Sequence, residues 1–323
     1  MKKVLLILMC CMAIQSVHAQ DTPKWADKAK KAVFSIVTYD KENKIKNTGN
    51  GFYIDNNGTA LSDYSLFEDA ERAVIINADG KELPVTRIAG ANSMYDVIKF
   101  RTETEKKITA LKVATQPAAV GETVYLLPYS TQKAATCQTG KVTQVDTIAD
   151  KAYYYTLTMT TSDKTVSCPI MNANGEVLGL IQKSASEEDK ESYAIGASYG
   201  ESLSISPLSA NDINLNKIGI AKALPETEDQ ALVYLYMSSS QMDAKNYLAT
   251  LNDFLQAYPN STEGYTRRAG YYMNIGDDEH NALAEADLKK AMDVSGNKTE
   301  GQYNVAKICL LYTSPSPRDI SGS

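Results

Sequence analysis

The sequence of 323 residues contains only two histidines, His18 and His280. His18 lies in an N-terminal segment that we expect to be removed, and His280 lies in a later helical region. Because a Ser-His-Asp or Cys-His site needs an imidazole to take the proton of its nucleophile, the strand-rich part of the chain lacks a base for such chemistry. A structural zinc site is also disfavoured, since the processed chain offers three cysteines and one histidine at no ligand spacing.

Positive charge and long apolar runs are scarce as well. The formal charge is −6, and it becomes −8 once Lys2 and Lys3 are removed with the N-terminal segment. An acidic chain of this kind has no basic surface for nucleic acid, so none is predicted as a partner. After residues 4–14, no apolar run approaches the ~20 residues of a membrane span. We predict no membrane span, no metal and no cofactor.

Residues 1–19 have the pattern of a secretory signal peptide. Lys2 and Lys3 precede the apolar run of residues 4–14, and Val-His-Ala at 17–19 offers a small-residue cleavage site. Cys10 and Cys11 do not follow the small residue that a lipoprotein site requires, so we interpret them as part of the apolar run. The sequence therefore predicts export to the periplasm or the extracellular space.

Residues 20–210 are rich in short strands. Turn sequences are read at residues 48–51, 55–58 and 78–81, and a tight hairpin is read at 170–181. The runs predicted as strands are 33–39, 52–54, 59–67, 73–76, 83–88, 97–100, 123–127 and 141–145. Many short strands with turns at this spacing indicate a closed barrel or a sandwich.

Several segments resemble trypsin-like serine proteases of the high-temperature-requirement (HtrA) branch. That family has Gly-Asn-Ser-Gly-Gly-Pro before an Asn-x-x-Gly-Glu-Val-x-Gly hairpin, whereas residues 164–169 read Lys-Thr-Val-Ser-Cys-Pro and 172–179 read Asn-Ala-Asn-Gly-Glu-Val-Leu-Gly. Residues 49–55 resemble its Gly-x-Gly-Phe strand, 62–66 its Thr-Asn-x-His-Val, and 95–100 its Thr-Asp-Leu-Ala-Val-Leu. Residues 120–125, 139–142 and 193–195 resemble strands of its second barrel. The resemblance implies a trypsin-like double β-barrel.

Carried over by position, the catalytic triad falls on Ser65, Asp96 and Val166, so only the aspartate is retained. Lys164 replaces a glycine whose N–H helps to form the oxyanion hole, which would lower the rate by ~10²–10³ even with a nucleophile present. Asp96 has a second interpretation, as a carboxylate at a strand start that accepts hydrogen bonds from backbone donors. A rearranged site is the alternative to inactivity, and its candidate nucleophiles or bases are Lys164, Thr165, Ser167 and Cys168.

Cysteines and tyrosines in the predicted second barrel each allow two interpretations. The family fold places the segments of Cys137 and Cys168 in the same barrel, so a disulfide is one possibility and two buried free thiols are the second. Cys309 is then left over. Tyrosines 153–155 are read as half-buried strand residues, with an exposed member as a possible peptide contact.

The periodicity changes from about two to 3.6 after a linker at 211–228, where Thr227 is placed to cap the next helix. Residues 229–311 resemble tetratricopeptide repeats, with the alternative of a helical cap packed on the barrel. The predicted packing positions are Tyr247, Leu251, Phe254, Tyr265, Ala269, Tyr272, Ala284, Leu288 and Ala291. His280 falls in an insertion near residues 277–281 and is interpreted as a solvated loop histidine. Residues 312–323 look like a disordered, non-native tail.

Together these features predict a trypsin-like double β-barrel followed by a region of tetratricopeptide-like helical hairpin repeats. Because two groups of the triad are absent, the predicted function is binding of peptides or partner proteins by an exported pseudoprotease. The alternative is an envelope serine endopeptidase of HtrA type that works through a rearranged site.

Overall fold

The computed structural model describes residues 22–103, 108–149, 152–182 and 191–296, together with 299, 302–303 and 305–306. The predicted signal peptide at 1–19, Cys309 and the predicted tail at 312–323 lie outside the described residues. Within that part of the chain, strands dominate up to residue 196 and helices follow from residue 197.

Six antiparallel strands form the first closed barrel. They are β1 Val33–Tyr39, β2 Ile45–Tyr53, β3 Thr59–Ser62, β4 Arg72–Ile76, β5 Glu82–Asn92 and β6 Val97–Thr102. Their order around the barrel is β1-β2-β3-β6-β5-β4. The closure leaves no free sheet edge in this unit. Its interior is filled by aromatic and branched side chains, among them Phe34, Phe52, Phe67, Phe100 and Ile75.

A second closed barrel repeats this topology. Its strands are β7 Thr123–Leu126, β8 Gln138–Ala149, β9 Ala152–Leu157, β10 Pro169–Met171, β11 Val177–Ile181 and β12 Ser192–Gly196. Their order is β10-β11-β12-β9-β8-β7. Read in the reverse direction, this is the order of the first barrel, with β7 in the place of β1. The predicted hairpin is confirmed, since Asn172 Oδ1 accepts from the N–H groups of Asn174 (3.0 Å) and Glu176 (2.9 Å). The double barrel predicted from sequence is therefore confirmed.

The turn predicted at residues 48–51 is wrong, because these residues lie inside β2. The glycines serve close packing instead. A Cβ on Gly49 would lie 2.4 Å from the Leu66 side chain, and one on Gly51 would lie 2.7 Å from the Phe34 ring and 2.8 Å from Leu61 O. Glycine is required here because neighbouring side chains and a backbone carbonyl occupy the space of a Cβ.

Short helices connect and flank the barrels. They are α1 Ala26–Ala29 before the first barrel, then α2 Ala197–Ser202 and α3 Ile213–Asn216 after the second, with 3₁₀ turns at Lys30–Ala32, Tyr64–Leu66 and Pro207–Asn211. The predicted linker is packed rather than extended. Ile88 N donates to Ala221 O (2.8 Å) and Ala223 N donates to Ile88 O (2.7 Å), which fixes the linker along β5.

Four longer helices follow: α4 Glu228–Ser238, α5 Ala244–Ala257, α6 Thr262–Ile275 and α7 Asp278–Val294. The predicted Thr227 cap is present, since its side chain accepts from Gln230 N. Arg87 of β5 donates from Nε to Asp253 Oδ2 of α5 (2.8 Å), so an ion pair also joins the barrel to the helices. In the described residues, no helix combines the length and apolar character needed to cross a bilayer.

The helices bury the positions expected from the 3.6-residue period. Leu251, Phe254, Ala269, Ala284, Leu288 and Ala291 are buried, and Tyr247, Tyr265 and Tyr272 are half-buried. Arg268 of α6 and Asp287 of α7 pair through two hydrogen bonds of 2.7 Å. The loop placement of His280 is wrong. Its N–H donates to the Asp277 cap (2.8 Å), so His280 lies in the first turn of α7, and its ring packs near Tyr272.

We expect Gly51→Ala to lower the free energy of unfolding by about 1–3 kcal/mol, because the added methyl group overpacks β2 against the Leu61 carbonyl and the Phe34 ring. Urea denaturation of the processed protein measures this change. Gly296→Ala is the control, since no atom lies within 4 Å of its added Cβ. Equal stability of the two variants would contradict the close approach at Gly51.

Candidate functional site

Ser65 and Asp96, two of the three predicted triad positions, are in direct contact. The Asp96 carboxylate accepts from Ser65 N (2.7 Å, Oδ1) and from Ser65 Oγ (3.0 Å, Oδ2). Asp96 precedes β6 with a φ of +47°, and Ser65 lies in the 3₁₀ turn Tyr64–Leu66. The carboxylate accepts a backbone N–H, as its second interpretation predicted, and a hydroxyl stands where the family has an imidazole.

The segment that carries Val166 forms a tight turn before β10. Thr165 N (2.8 Å) and Val166 N (3.2 Å) both donate to Ser162 O. Ser167 follows with a φ of +64°, in the left-handed region that favours glycine, and its N–H donates to Ile181 O (2.9 Å). The resembled motif has glycine at this position. The backbone therefore supports the alignment that places Val166 where the family has its serine.

Asn50 of β2 holds this turn against the first barrel. Its Nδ2 donates to Lys164 O (3.1 Å) and Val166 O (2.9 Å), and its own carbonyl accepts from Ser62 Oγ (2.6 Å). Only 5 % of Asn50 is exposed. Asn50 thereby links the Val166 turn to the end of β3, the strand that leads into the 3₁₀ turn carrying Ser65. Sequence reasoning did not identify Asn50, although it is the variable residue of the Gly-x-Gly-Phe motif.

A second contact between the barrels involves Gln182, which follows β11. Its Nε2 donates to Tyr95 O (2.7 Å), next to Asp96, and its Oε1 accepts from Tyr154 OH (2.7 Å). The Tyr154 ring stacks on Tyr193 with centroids 6.1 Å apart. Tyr154 is therefore half-buried strand structure with a bonded hydroxyl, in agreement with the first interpretation of residues 153–155.

Asp63 is a buried acid beneath the site that sequence reasoning did not single out. It is 3 % exposed, and the Oγ of the fully buried Ser167 lies beside its carboxyl group without a well-formed hydrogen bond. Burial, and then the negative charge of Asp96, raise the pKa of Asp63 well above its usual range, and the nearby Ser167 side chain partly opposes this. The sequence did contain a signal for Asp63, because the resembled Thr-Asn-x-His-Val motif has an asparagine at the position where this chain has an acid.

The four candidates for a rearranged site do not assemble into a nucleophile and base. Ser167 and Cys168 are both fully buried, and burial raises the pKa of the Cys168 thiol to about 12, so it stays protonated near pH 7. Thr165 Oγ1 donates to Ser162 O (3.0 Å). Lys164 is exposed, and no hydrogen bond joins any two of these four side chains in the described part of the chain.

Cys137 and Cys168 are free thiols, so the possible disulfide between them is not formed in this structure. Burial raises the pKa of Cys137 to about 11, and the negative charge of Asp27 adds to this. Both sulfurs pack with the core as small apolar groups, in agreement with the second interpretation of these cysteines. Within the described ranges, no cluster of three or more His, Cys, Asp or Glu residues is placed to hold a metal.

We expect Asp63→Asn to gain stability relative to the wild type as the pH rises above about 4, the ordinary pKa of an aspartate. A carboxyl group with a raised folded-state pKa contributes stability that is complete below its unfolded pKa. That contribution declines by about 1.4 kcal/mol per pH unit until the folded pKa is reached. Asparagine does not titrate, so the variant escapes this decline. Urea unfolding at several pH values measures the difference.

Asp55→Asn is the control for this titration. Burial of Asp55 opposes ionisation, but hydrogen bonds from Thr59 and Asn57 outweigh it and lower the pKa of Asp55. Its stability contribution is therefore complete above the unfolded pKa, and the control shows no rise over the same pH range. A pH-independent difference between Asp63→Asn and the wild type would contradict the burial of an uncharged acid.

Residues 49–180 match the family model of the trypsin-like peptidase domain, from within β2 to within β11. Among solved structures, the serine endoprotease from Yersinia pestis is 15 % identical, with a TM-score of 0.46. That match covers 54 % of this chain and 61 % of the solved chain, which is less than two thirds of its length. No curated protein matches the sequence. The two closed barrels thus have a trypsin-like fold, and residues 49–180 are similar to a trypsin-like peptidase domain.

Proposed function

We propose that this chain is an exported pseudoprotease whose trypsin-like domain and helical repeats bind peptides or partner proteins without cleaving them. The proposal rests on Val166, which the resemblance aligns with the nucleophile position and which has no nucleophilic atom. The left-handed backbone of Ser167 supports that alignment independently of the side chains. Hydrolysis by the family mechanism therefore lacks its attacking atom.

The remaining triad positions support the same conclusion. Ser65 replaces the imidazole, and a hydroxyl does not accept a proton near neutral pH. Asp96 is occupied by two hydrogen bonds from Ser65, at 2.7 and 3.0 Å, so its carboxylate serves to hold a turn. The buried positions of Ser167 and Cys168 argue against the alternative endopeptidase with a rearranged site, since neither side chain reaches a substrate.

The proposed division of the chain is a signal peptide at 1–19, a double barrel at 20–210, a linker at 211–228, repeats at 229–311 and a tail at 312–323. For the repeats, we infer two tetratricopeptide-like units from α4–α5 and α6–α7. In support, α4 and α5 pack through Ala231, Leu235, Leu251 and Phe254, while α6 and α7 pack through Ala269, Ala284 and Leu288. Stacked helical hairpins of this type commonly bind extended peptides.

The processed protein is expected to remain unlabelled by a fluorophosphonate probe for serine hydrolases. The exposed Ser65 hydroxyl donates to the Asp96 carboxylate, and no described hydroxyl of the site is paired with an imidazole or an amine. Gel fluorescence and mass spectrometry measure labelling. A variant with Ser65→His, Val166→Ser and Lys164→Gly is the matched comparison, since it restores the family residues on the same scaffold. Labelling of the wild type that disappears in Ser167→Ala would overturn the proposal.

Binding without cleavage is tested with the processed full-length chain and a pool of unstructured peptides. We expect a subset to be retained on the immobilised protein, to bind saturably in fluorescence anisotropy, and to be recovered intact by mass spectrometry after prolonged incubation. Products that appear only in the presence of the protein and persist in Ser167→Ala would indicate a contaminating protease. Absence of any retained peptide would contradict the binding function.

A further inference from the structure

A cavity of about 240 Å³ lies between the linker and helices α4 and α5, away from the barrel site. Its walls include the apolar side chains of Ile218, Ile220 and Met242 and the polar side chains of Lys222 and Tyr234. At ~30 Å³ for each molecule of liquid water, this space equals about eight waters. The cavity is thus suited to a small organic molecule. The side chains of Lys222 and Tyr234 indicate the chemical class of that molecule.

Lys222 places an ammonium group at this region without a hydrogen-bonded acidic partner, although the Glu71 carboxylate packs against Gly219 of the cavity wall. Its Nζ donates to Ile220 O (2.9 Å) and to Ile218 O, which are uncharged acceptors. No carboxylate of the described residues forms an ion pair with it. Burial lowers the pKa of Lys222 to about 8, while the negative charge of Glu71 opposes this shift, so the amine remains mostly charged near pH 7. A third N–H is left for another acceptor.

Tyr234 supplies a second unused donor. It is 2 % exposed, and its hydroxyl has no hydrogen-bond partner among the described residues. Burial raises the pKa of Tyr234 to about 12, so the hydroxyl keeps its proton. The other buried hydroxyls at the cavity are satisfied by their own helices, since Ser238 Oγ donates to Tyr234 O (2.7 Å) and Thr250 Oγ1 donates to Asn246 O (2.8 Å).

We propose that this cavity binds a small monocarboxylate with a short apolar chain. A carboxylate is negative and accepts hydrogen bonds only, so it complements the ammonium of Lys222 and the hydroxyl of Tyr234. Asp243, the acid that lines the cavity, caps α5 by accepting from Asn246 N (2.9 Å) and Nδ2 (2.6 Å). The apolar chain lies against Ile218, Ile220 and Met242. This site is independent of the proposed peptide-binding function and of the barrel site.

Calorimetric titration of the processed full-length chain with 4-methylpentanoate tests the proposal. The number of non-hydrogen atoms in this acid is about the number of water molecules for which the cavity has room. We expect saturable binding to a single site, and binding at least ~10-fold weaker for 4-methylpentanamide, which keeps the shape and removes the charge. Lys222→Met is expected to weaken binding of the acid at least ~10-fold, and Tyr234→Phe is expected to weaken it ~3- to 10-fold.

Two further variants separate recognition from folding. Lys99→Met is the matched control, since Lys99 is also partly buried and donates to a backbone carbonyl, Glu201 O (2.7 Å), outside this cavity. It should leave the affinity unchanged, while Lys222→Arg should retain binding through its charge. If Lys222→Met fails to fold, Tyr234→Phe carries the test, because it removes a hydroxyl that bonds to no described residue. Equal affinity for acid and amide, no saturable binding, or unaltered affinity in Tyr234→Phe would overturn the proposal.

Discussion

The amide of Asn50 joins the two barrels at the place where a trypsin-like site is built. A side-chain amide nitrogen carries two N–H groups, and here both are used, one on Lys164 O and one on Val166 O. A carboxylate has no donor and a hydroxyl has one, so neither could replace both contacts. The turn is therefore held through its backbone, whatever side chain stands at position 166. The turn can therefore keep its backbone arrangement with a valine at the position that we propose for the nucleophile.

The polar interior under that turn has a different energetic character. Asp63 and Ser167 are buried beside each other without a well-formed hydrogen bond. Part of the solvation that each group loses on burial, typically about 1–3 kcal/mol, is therefore not recovered. Burial and the charge of Asp96 favour the uncharged form of Asp63, which limits this penalty because a neutral acid is easier to bury than an anion. The site thus combines a backbone whose hydrogen bonds are formed with a buried polar pair that is poorly hydrogen-bonded. If nothing required polar groups at the buried positions of Asp63 and Ser167, apolar residues would be expected there.

Local sequence predicted a closed barrel or a sandwich from short β-branched runs and from turns that carry Asn, Asp and Gly, as in the hairpin at residues 170–181. The family resemblance then indicated the double barrel. Local sequence failed where a residue acts through distant neighbours. Gly49 and Gly51 look like turn residues, but Leu66, Phe34 and Leu61 determine their use. Asp63 and Ser167 are 104 positions apart by their numbers, so their shared burial had no local signal. The state of the thiols likewise depended on tertiary packing. The helical placement of His280, by contrast, follows from a local signal that the prediction did not use, the Asp277 cap.

The linker shows how a segment that looks like a spacer acquires a structural role. Its pairing with Ile88 fixes residues 221–223 along β5, and the same stretch supplies the carbonyls that hold Lys222. The cavity beside Lys222 is therefore bounded by a segment attached to the barrel and by helices that begin the second region. A molecule that binds there and not to the unfolded chain stabilises this junction by RT ln(1 + [L]/Kd). Occupancy would consequently oppose separation of the helices from the barrel.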